Sequence, residues 1–433
     1  MAALVIINHT LPTEKSLMAK AKKNHRLIIL TQWFDPEPTF KGLLFARAMK
    51  GLGFDIEVVT GFPNYPGGKV YPGYRIKLFQ REMVDGIIIT RLPLYPSHDH
   101  SAAGRVANYV SFFLSAFVYL TLFARRADIL YVYHPPLTVS LAAVCAKIFR
   151  QTLTVIDIQD MWPDTLRATG MVRSAFILKI VDVVCRWVYR FVDQIVVLSP
   201  GFRKLLLDRS VPSEKINVIY NWADENALAP TNVVTPKMLD RPDRFRVLFA
   251  GNMGKAQALD NVLDAAKLVA SRRNDVDFIF LGGGLEANRL KTRAALEKIS
   301  NALFIPKVPM AEVRHYLAAS DCALVHLRAD PLFSITIPSK TQAYMAAGKP
   351  IIMAVEGDAA ELVARSGCGI LVPPEKPGEL ADAVCALAAK TTGERHKMAQ
   401  AATHFYSSHL CLAVGTEHFS HIFLKLIKNS RIK

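Results

Sequence analysis

Two loops in the C-terminal half of the chain have the residue types that hold a diphosphate. The first is AGNMGK at residues 250–255, which follows an apolar run and places two glycines before Lys255. The second is TIPSKTQAYMAAGKP at 336–350, where Pro338 favours the start of a helix just before Lys340. Free backbone N–H groups at a helix start attract an anion, and a lysine adds positive charge there. The two loops predict a phosphate site of the kind that a sugar-nucleotide enzyme needs.

Each of these motifs also has a simpler interpretation. A GxxGK fragment alone is more often an ordinary glycine turn, and neither a Walker loop nor GxGxxG is complete here. The glycine triplet at 282–284 fits a tight turn and a close nucleotide approach equally well, since both need glycine. Glu361 could accept sugar hydroxyls or could only complement a helix dipole. A diphosphate site is favoured because Lys255 and Lys340 come from separate loops.

Three loops in the N-terminal half also follow apolar runs, at the strand ends where ligands bind in such folds. They are WFDPEPTFKG at 33–42, GFPNYPGGK at 61–69 and DIQDMWPD at 157–164. Asp160 is the candidate for accepting a proton from an acceptor hydroxyl, because a nearby carboxylate can act as a base. The alternative is that these loops only hold the fold, and a lone histidine such as His134 is more often structural. The predicted acceptor contacts are Lys41, Gly42, Asn64 and Asp160.

Apolar β-type runs alternate with helical patterns in two series along the chain. The first series has runs at 26–30, 56–60, 86–90, 129–133, 153–157 and 194–199, and the second has runs at 245–250, 276–282, 302–306, 322–327, 350–355 and 369–373. Continuous apolar strands separated by helices predict parallel sheets that are covered on both faces. The predicted fold class is therefore α/β, with two doubly wound Rossmann-like domains that face an interdomain cleft.

A segment rich in Pro, Asn and Asp separates the two series and has the composition of a linker. The predicted boundaries are an N-terminal extension at 1–25, a first domain at 26–222, a linker at 223–243, a second domain at 244–405 and a C-terminal helical tail at 406–433. A chain of 433 residues is long enough for two such cores.

The composition favours anionic partners and argues against several classes of protein. The formal net charge is +16, yet the basic residues are scattered, and no zinc-finger or RNP-like spacing is present, so nucleic acid is not expected. Six cysteines lie far apart without a metal motif or disulfide framework, which fits reduced thiols in the cytoplasm. The N-terminus has no basic residues before its short apolar run and is not expected to be a secretory signal.

One segment bears on a membrane contact. Residues 107–124 are uncharged and are followed by Arg125-Arg126, and their length approaches the lower limit for a membrane-spanning helix. Three alternatives remain open at this point: a core helix, a helix on the membrane surface, or a span. The strand-like run that follows directly favours one of the first two.

Together, these motifs resemble the bacterial family 4 retaining glycosyltransferases of the GT-B fold. The segments that carry the resemblance are FPNYPGGKVYPGYR, DIQDMWPD, VIYNWAD, AGNMGKAQALDNVLDAA, LGGG, IPSKTQAYMAAGKPI and GDAAELV. They are most similar to the branch of fucosamine transferases and colanic-acid-type exopolysaccharide transferases. The likeness extends over about residues 26–425.

The resemblance implies transfer of a sugar from a nucleoside diphosphate sugar, with UDP as the expected nucleotide, and with retention at the anomeric carbon. It implies an N-acetylated or deoxy hexose as the sugar, an acceptor site in the first domain, a donor site in the second, and no cofactor or obligatory metal. The expected catalytic residues are Asp160, Lys255 and Lys340. The expected donor-binding residues are Gly251, Asn252, Gly254, Lys255, Gln257, Gly283, Pro338, Ser339, Lys340 and Glu361.

The sequence departs from the family at one pair of positions. Many members carry two glutamates separated by seven residues, and the matching positions here are Ile335 and Ala343. The expected acceptor is a polyprenyl-pyrophosphate-linked sugar or a growing surface glycan at the anionic inner membrane, with a peripheral cytoplasmic enzyme. The alternatives are a sugar-nucleotide epimerase of the same fold and a non-catalytic sugar-nucleotide-binding protein.

Overall fold

The computed structural model describes residues 25–97, 102–229, 234–239, 241 and 243–431. The predicted extension at 1–25 lies outside these residues except for His25, and the predicted linker is described only in part. The described residues form two α/β units with mostly parallel sheets, so the predicted fold class is confirmed.

The N-terminal unit is built on an eight-stranded sheet in the order β3-β4-β2-β1-β5-β6-β7-β8. The strands are β1 (His25–Leu30), β2 (Phe54–Gly61), β3 (Gln80–Val84), β4 (Ile87–Leu92), β5 (Ile129–His134), β6 (Leu153–Ile158), β7 (Gln194–Val197) and β8 (Ile216–Val218). The helices are α1 (Leu43–Gly51), α2 (Ala102–Val118), which continues in a π-helical turn (Tyr119–Phe123), α3 (Leu137–Arg150), α4 (Asp164–Ala168), α5 (Ala175–Phe191) and α6 (Pro200–Asp208). The inner strands are apolar throughout because helices cover both faces of the sheet.

The edge strand β3 pairs antiparallel with β4 and was not among the predicted strands. The two strands are joined by Asp85 and Gly86, whose φ angles are +52° and +69°. An Asp-Gly pair favours a tight hairpin because both positions need positive φ. This signal was present in the sequence. Strand β3 was missed because polar residues interrupt it, whereas the buried strands are continuous apolar runs.

The C-terminal unit is built on a six-stranded parallel sheet in the order β11-β10-β9-β12-β13-β14. The strands are β9 (Phe245–Asn252), β10 (Val276–Gly283), β11 (Ala302–Ile305), β12 (Cys322–His326), β13 (Ile351–Ala354) and β14 (Gly369–Leu371). The helices, with a short connecting helix α7 (Glu225–Leu228) before them, are α8 (Leu259–Ala270), α9 (Ala287–Leu296), α10 (Met310–Ala318), α11 (Pro331–Ser334), α12 (Ser339–Ala346), α13 (Asp358–Ser366), α14 (Pro377–Ala389), α15 (Thr392–His409) and α16 (Leu412–Ser430).

The last helix returns to the N-terminal unit. In α16, Phe419 packs edge-on against Phe45 and Tyr131, and its ring centroid lies 5.3 and 5.4 Å from theirs. Helix α15 runs through the predicted boundary at 405, so the structure does not divide the chain there. The predicted tail at 406–433 therefore contributes to the core of the first unit, on the face that also carries α1.

Helices α2, α3 and α5 cover the opposite face of the same sheet. Helix α2 buries Phe112 and Ala116 against this core, while Val110 and Leu114 on its outer side are exposed. Two helical stretches, Ala103–Phe123 and Thr392–Ser430, have the length and the apolar composition that a membrane crossing requires. The first of them is 28% buried, so most of it lies at or near the surface.

Candidate active site

Loops at the carboxyl ends of the strands in the two sheets meet each other. Ser199, which follows β7, donates a hydrogen bond from Oγ to the carbonyl oxygen of Ile335 at 2.6 Å. Arg328, which follows β12, donates from Nη2 to the carbonyl oxygen of Ala168 at 3.2 Å. Loops after β6 and β7 thus contact loops after β12, and the candidate site residues lie at these edges of the two sheets.

The most unusual group at these edges is the ammonium of Lys340 in the first turn of α12. Its Nζ atom is buried and has no hydrogen-bond partner among the described residues. The atom lies 3.6 Å from the ring centroid of Phe249, whose negative face partly compensates the charge. Burial lowers the pKa of Lys340 to about 7. An unpaired buried cation is costly, and an anion bound beside it would remove that cost.

The predicted phosphate loop lies against this lysine. Gly251 has a φ of +133°, and a Cβ atom there would stand 3.3 Å from Nζ of Lys340. Lys255 is exposed at the start of a short 3₁₀ turn, and Asn252 is also exposed. The structure therefore brings together Gly251 and Lys340, two of the predicted donor-binding residues that are far apart in the sequence, with Lys255 on the same loop.

Gln257 has a structural task that the prediction did not include. Its Oε1 atom accepts a hydrogen bond from the backbone N–H of Gly254 at 2.9 Å and so closes the loop. Its carbonyl oxygen lies 2.8 Å from Nδ1 of His326 at the end of β12. Gln257 therefore fixes the shape of the loop, and its predicted contact with the donor stays a prediction.

The three glycines after β10 have two different functions. A Cβ on Gly282 would lie 2.1 Å from the carbonyl oxygen of Gly251, and a Cβ on Gly284 would lie 2.5 Å from that of Met253. Gly283 differs from both, because a Cβ there would meet nothing within 4 Å. Two of the glycines let the phosphate loop pack closely, and the third lines open space in front of it.

Glu361 and Asp358 both lie in the first turn of α13 but have different surroundings. Glu361 is exposed, as is Ser339 at the start of α12. Asp358 accepts a hydrogen bond from the backbone N–H of Gly201 at 2.7 Å, so it caps α6 of the other unit. Burial raises the pKa of Asp358 above its ordinary value. Sequence reasoning missed this contact because the partner is 157 residues away in the chain.

On the N-terminal side, Asp160 lies at the carboxyl end of β6. Burial raises the pKa of its carboxyl group above the ordinary value. No hydrogen bond to this carboxyl group is present among the described residues. Burial is the main cause of the raised pKa values of Tyr65 and Tyr109, and the charge of Asp160 raises both further. Both tyrosines therefore lie near Asp160. A carboxylate with a raised pKa beside two half-buried tyrosines can accept a proton from a hydroxyl group.

The other predicted acceptor contacts are part of the interior. Lys41 is 1% exposed, and its Nζ donates to Oδ1 of Asn221 at 2.6 Å and lies 3.6 Å from Asp157. Asn64 is also 1% exposed and donates from Nδ2 to the carbonyl oxygen of Phe62. Neither side chain is open to an acceptor in this structure, so we assign both a structural function.

Gly42 has a structural function as well. A Cβ there would lie 2.2 Å from Oδ2 of Asp35, which accepts the N–H of Leu43 and caps α1. The residue that joins the predicted acceptor loops is Glu37, which is 2% exposed. Its Oε1 accepts from the backbone N–H groups of Asn64 and Tyr65, each at 2.7 Å. Nothing in the spacing of the sequence singled out Glu37.

His134 lies beside this site at the end of β5. It is fully buried, its Nδ1 lies 2.8 Å from Oγ of Ser140, and its Nε2 has no partner among the described residues. Burial lowers the pKa of His134 to about 3, so the ring is neutral at physiological pH. The structural interpretation of this histidine fits these surroundings. Among the described residues, no group of three His, Cys, Asp or Glu side chains is arranged to hold a metal ion.

Comparison with known proteins decides the family. The profile described as "Glycosyl transferase 4-like domain" matches residues 43–222, and the one described as "Glycosyl transferases group 1" matches residues 244–390. The chain belongs to the family 4 glycosyltransferases of the GT-B fold. Its two units carry one matched domain each, and the loops of the candidate site lie within those domains.

Two curated relatives of this chain are themselves named as glycosyltransferases. The chain is 28% identical over 288 residues to the probable glycosyltransferase WbjE of Pseudomonas aeruginosa. The aligned region covers 64% of this chain and 70% of the relative. It is 24% identical over 335 residues to the putative colanic acid biosynthesis glycosyl transferase WcaI of Escherichia coli. The aligned region covers 75% of this chain and 81% of the relative. The chain is thus a glycosyltransferase of glycan biosynthesis.

Solved structures confirm the GT-B fold of this glycosyltransferase. Sucrose-phosphate synthase from Thermosynechococcus elongatus superposes with a TM-score of 0.71 at 14% identity, over 94% of this chain and all of that one. Anabaena HepE in complex with UDP and glucose superposes with a TM-score of 0.65 at 16% identity. The superposition covers 92% of this chain and 99% of HepE. At these identities the likeness concerns the fold alone.

The two positions at which the resemblance implied glutamates, Ile335 and Ala343, make apolar contacts. Ile335 packs against the core of the N-terminal unit, and its side chain approaches the position that a Cβ on Gly201 would take. Ala343 packs against the core of the C-terminal unit. Position 335 thus serves the contact between the units, which explains how an apolar residue is accommodated there.

Proposed function

We propose that this protein transfers a hexose, N-acetylated or deoxygenated, from a UDP-sugar to a lipid-linked or growing glycan, with retention of the anomeric configuration. The observation that carries the proposal is the buried Nζ of Lys340, which has no partner among the described residues and faces Gly251. A diphosphate is the donor group that such a cation fits best, because it supplies charge and several acceptor oxygens.

The reaction breaks the bond between the anomeric carbon and the diphosphate oxygen, and the electron pair leaves with the phosphate. Lys340 and Lys255, with the backbone N–H groups of their loops, stabilise the charge that develops on this oxygen. The acceptor hydroxyl forms the new bond on the same face of the sugar and gives its proton to Asp160. The raised pKa of Asp160 suits this step, since the carboxyl group then binds the proton more readily.

UDP is proposed as the nucleotide because of the structures that share this fold. HepE of Anabaena was solved with UDP and glucose, and trehalose-6-phosphate synthase of Escherichia coli with UDP-2-fluoroglucose. The lipid-linked acceptor is proposed because the relative WcaI is named for colanic acid biosynthesis. With a polyprenyl-pyrophosphate-linked acceptor in the anionic inner leaflet, the proposed location of the enzyme is the cytoplasmic surface of the inner membrane. No cofactor or obligatory metal is part of the proposal.

The deciding experiment measures transfer from a panel of nucleotide sugars to a polyprenyl-pyrophosphate-linked sugar, with and without EDTA. We expect one UDP-sugar to be consumed, a product whose anomeric proton coupling matches that of the donor, and no effect of EDTA. Lys340→Met should lower kcat/KM by about a hundredfold or more, as loss of one preorganised donor does. Lys291→Met removes a charge from an exposed site on α9 and serves as the control.

Two outcomes would contradict the proposal. Isomerisation of the donor without any acceptor would indicate an epimerase of the same fold. Binding of UDP-sugars without turnover across the acceptor panel would indicate a non-catalytic binding protein. An unchanged rate in Lys340→Met would remove this lysine from the site.

A further inference from the structure

The outer side of α2 is apolar over its whole length. The exposed side chains along it are Val106, Val110, Leu114, Val118 and Leu122, with exposed fractions between 43% and 68%. They recur every four residues, through α2 and into the π-helical turn that follows it, so each lies next to the previous one along the helix. From 106 to 124 the sequence contains no charged residue. The solvent side of a surface helix normally carries charged residues, and here that side is as apolar as the core side.

The stripe continues across the two neighbouring helices. Phe117 of α2 lies 6.1 Å from Phe149 at the end of α3, measured between ring centroids, and Phe149 is 65% exposed. Helix α5, which packs beside α3, exposes Phe176, Ile177, Ile180 and Val183. We call the exposed apolar residues of α2, α3 and α5 the three-helix surface. Large contiguous apolar surfaces of this kind mark interaction sites.

The charge around the three-helix surface indicates what covers it. Segments 102–127, 137–150 and 173–192 contain nine basic residues and one acidic residue, a formal net charge of +8 out of +16 for the whole chain. The acidic residue, Asp182, is paired with Arg186 at 2.8 Å, and Lys147 is paired with Asp193, which directly follows the third segment. Arg125 and Arg126 are exposed directly after α2. An apolar belt with a basic rim matches a bilayer with anionic headgroups, whereas a protein partner would need its own acidic rim.

The mode of contact follows from the packing of α2. Its inner side is fixed in the core by Phe112, and Nδ2 of Asn108 donates to the carbonyl oxygen of Tyr95 at 2.7 Å. A helix held in this way cannot cross a bilayer without unfolding the unit. We propose that the three-helix surface rests in the headgroup region of an anionic membrane, with the basic rim on the lipid phosphates.

The surface also adjoins the acceptor side of the site. Tyr109 lies on α2 between Val106 and Val110, and its pKa is raised by burial and, to a smaller extent, by the charge of Asp160. A glycan held at Asp160 would therefore start at one end of the surface on which its lipid rests. This continuity rests on the proposed function, whereas the membrane contact itself does not.

The test is flotation of the full chain with phosphatidylcholine vesicles, with and without phosphatidylglycerol. The wild type should float with the anionic vesicles, and less at high salt. Leu114→Glu and Ile180→Glu should each weaken binding about tenfold or more, since each replaces an aliphatic side chain that the membrane would bury with a negative charge. Leu296→Glu changes an exposed apolar residue on α9 of the other unit and should float like the wild type.

Circular dichroism and UDP binding check that the variants are folded. The proposal is overturned if the two surface variants float like the wild type, or if the wild type ignores anionic vesicles at low salt. It is also overturned if the wild type sediments as a dimer that Leu114→Glu dissociates, because a second copy then covers the surface. Surface-dependent flotation without sugar transfer would contradict the proposed function only. Transfer to a water-soluble acceptor without flotation would contradict the membrane contact only.

Discussion

The ammonium of Lys340 should take up a proton when a diphosphate binds beside it. Burial lowers the pKa of Lys340 from 10.5 to about 7 in the free protein. At pH 8 only roughly one in ten of these side chains is then charged. An opposite charge in contact raises the pKa of a lysine by about 1–3 units, so between about half and nearly all of them should be charged in the complex. UDP binding at pH 8 should therefore be coupled to uptake of up to about one proton.

Isothermal titration with UDP in buffers of different ionisation enthalpy measures this uptake directly. The observed enthalpy should change with the buffer for the wild type, and the slope gives the number of protons. Lys340→Met should abolish the slope and weaken binding by roughly ten- to a hundredfold, because a charge-assisted hydrogen bond contributes about 1.5–3 kcal/mol. Lys291→Met should behave like the wild type. Equal slopes in the wild type and Lys340→Met would refute the assignment of Lys340 to the diphosphate.

The same group makes a second prediction on stability in the absence of ligand. Because the folded-state pKa of Lys340 is lower than the unfolded-state value, the unfolded chain binds more protons between pH 7 and pH 10.5. The free energy of unfolding should therefore rise with pH through this window. From pH 7 to pH 9, Lys340 should raise the free energy of unfolding by about 2 kcal/mol. The difference between wild type and Lys340→Met in urea unfolding isolates it, and a difference that does not change with pH would contradict the burial of a free ammonium.

Further predictions concern the glycines, the carboxylates and the contact between the units. Gly282→Ala should destabilise by at least about 2 kcal/mol in urea unfolding, because its Cβ would collide with a backbone oxygen and its φ is +137°. Gly283→Ala should leave stability unchanged and weaken only UDP binding, and equal unfolding of the two variants would contradict the packing of this turn. Asp160→Asn should lower kcat by about a hundredfold or more. The wild-type rate should fall when acidification protonates Asp160, whose pKa is raised, and this acidic limb of the pH profile should be absent in Asp160→Asn. Asp358→Ala should cost about 1 kcal/mol because it removes a helix cap, whereas the exposed Glu361→Ala should not change stability.

The strands and the donor loops could be predicted because their signals are local. Apolar runs mark the buried strands, and all twelve runs of the sequence coincide with strands. Gly251 and Lys255 were predicted because they follow an apolar run, and Lys340 was predicted because it lies at a helix start, where free backbone N–H groups attract an anion. The edge strand β3 was missed because it is exposed on one side and lacks a continuous apolar run.

The acceptor side was predicted less well because its residues act through distant partners. Lys41 follows a strand, as a ligand-binding residue would, but its partner Asn221 lies 180 residues further along the chain. The same holds for Asp358, whose contact with Gly201 is invisible in either segment alone. Residue type and position at a strand end could not distinguish a side chain that faces a cleft from one that turns inward.

The sequence by itself determined the two α/β domains, the family and the loops that are proposed to hold the diphosphate, because hydrophobic periodicity and glycine-lysine motifs are properties of short segments. Only the tertiary structure decided which of these groups are free to bind a ligand. It left Nζ of Lys340 buried, with no hydrogen-bond partner in the part of the chain that the structure describes, and it paired Lys41 with Asp157 in a buried salt bridge. The physical reason is that the burial and pairing of a charge depend on which segments pack around it, and this is fixed by long-range contacts.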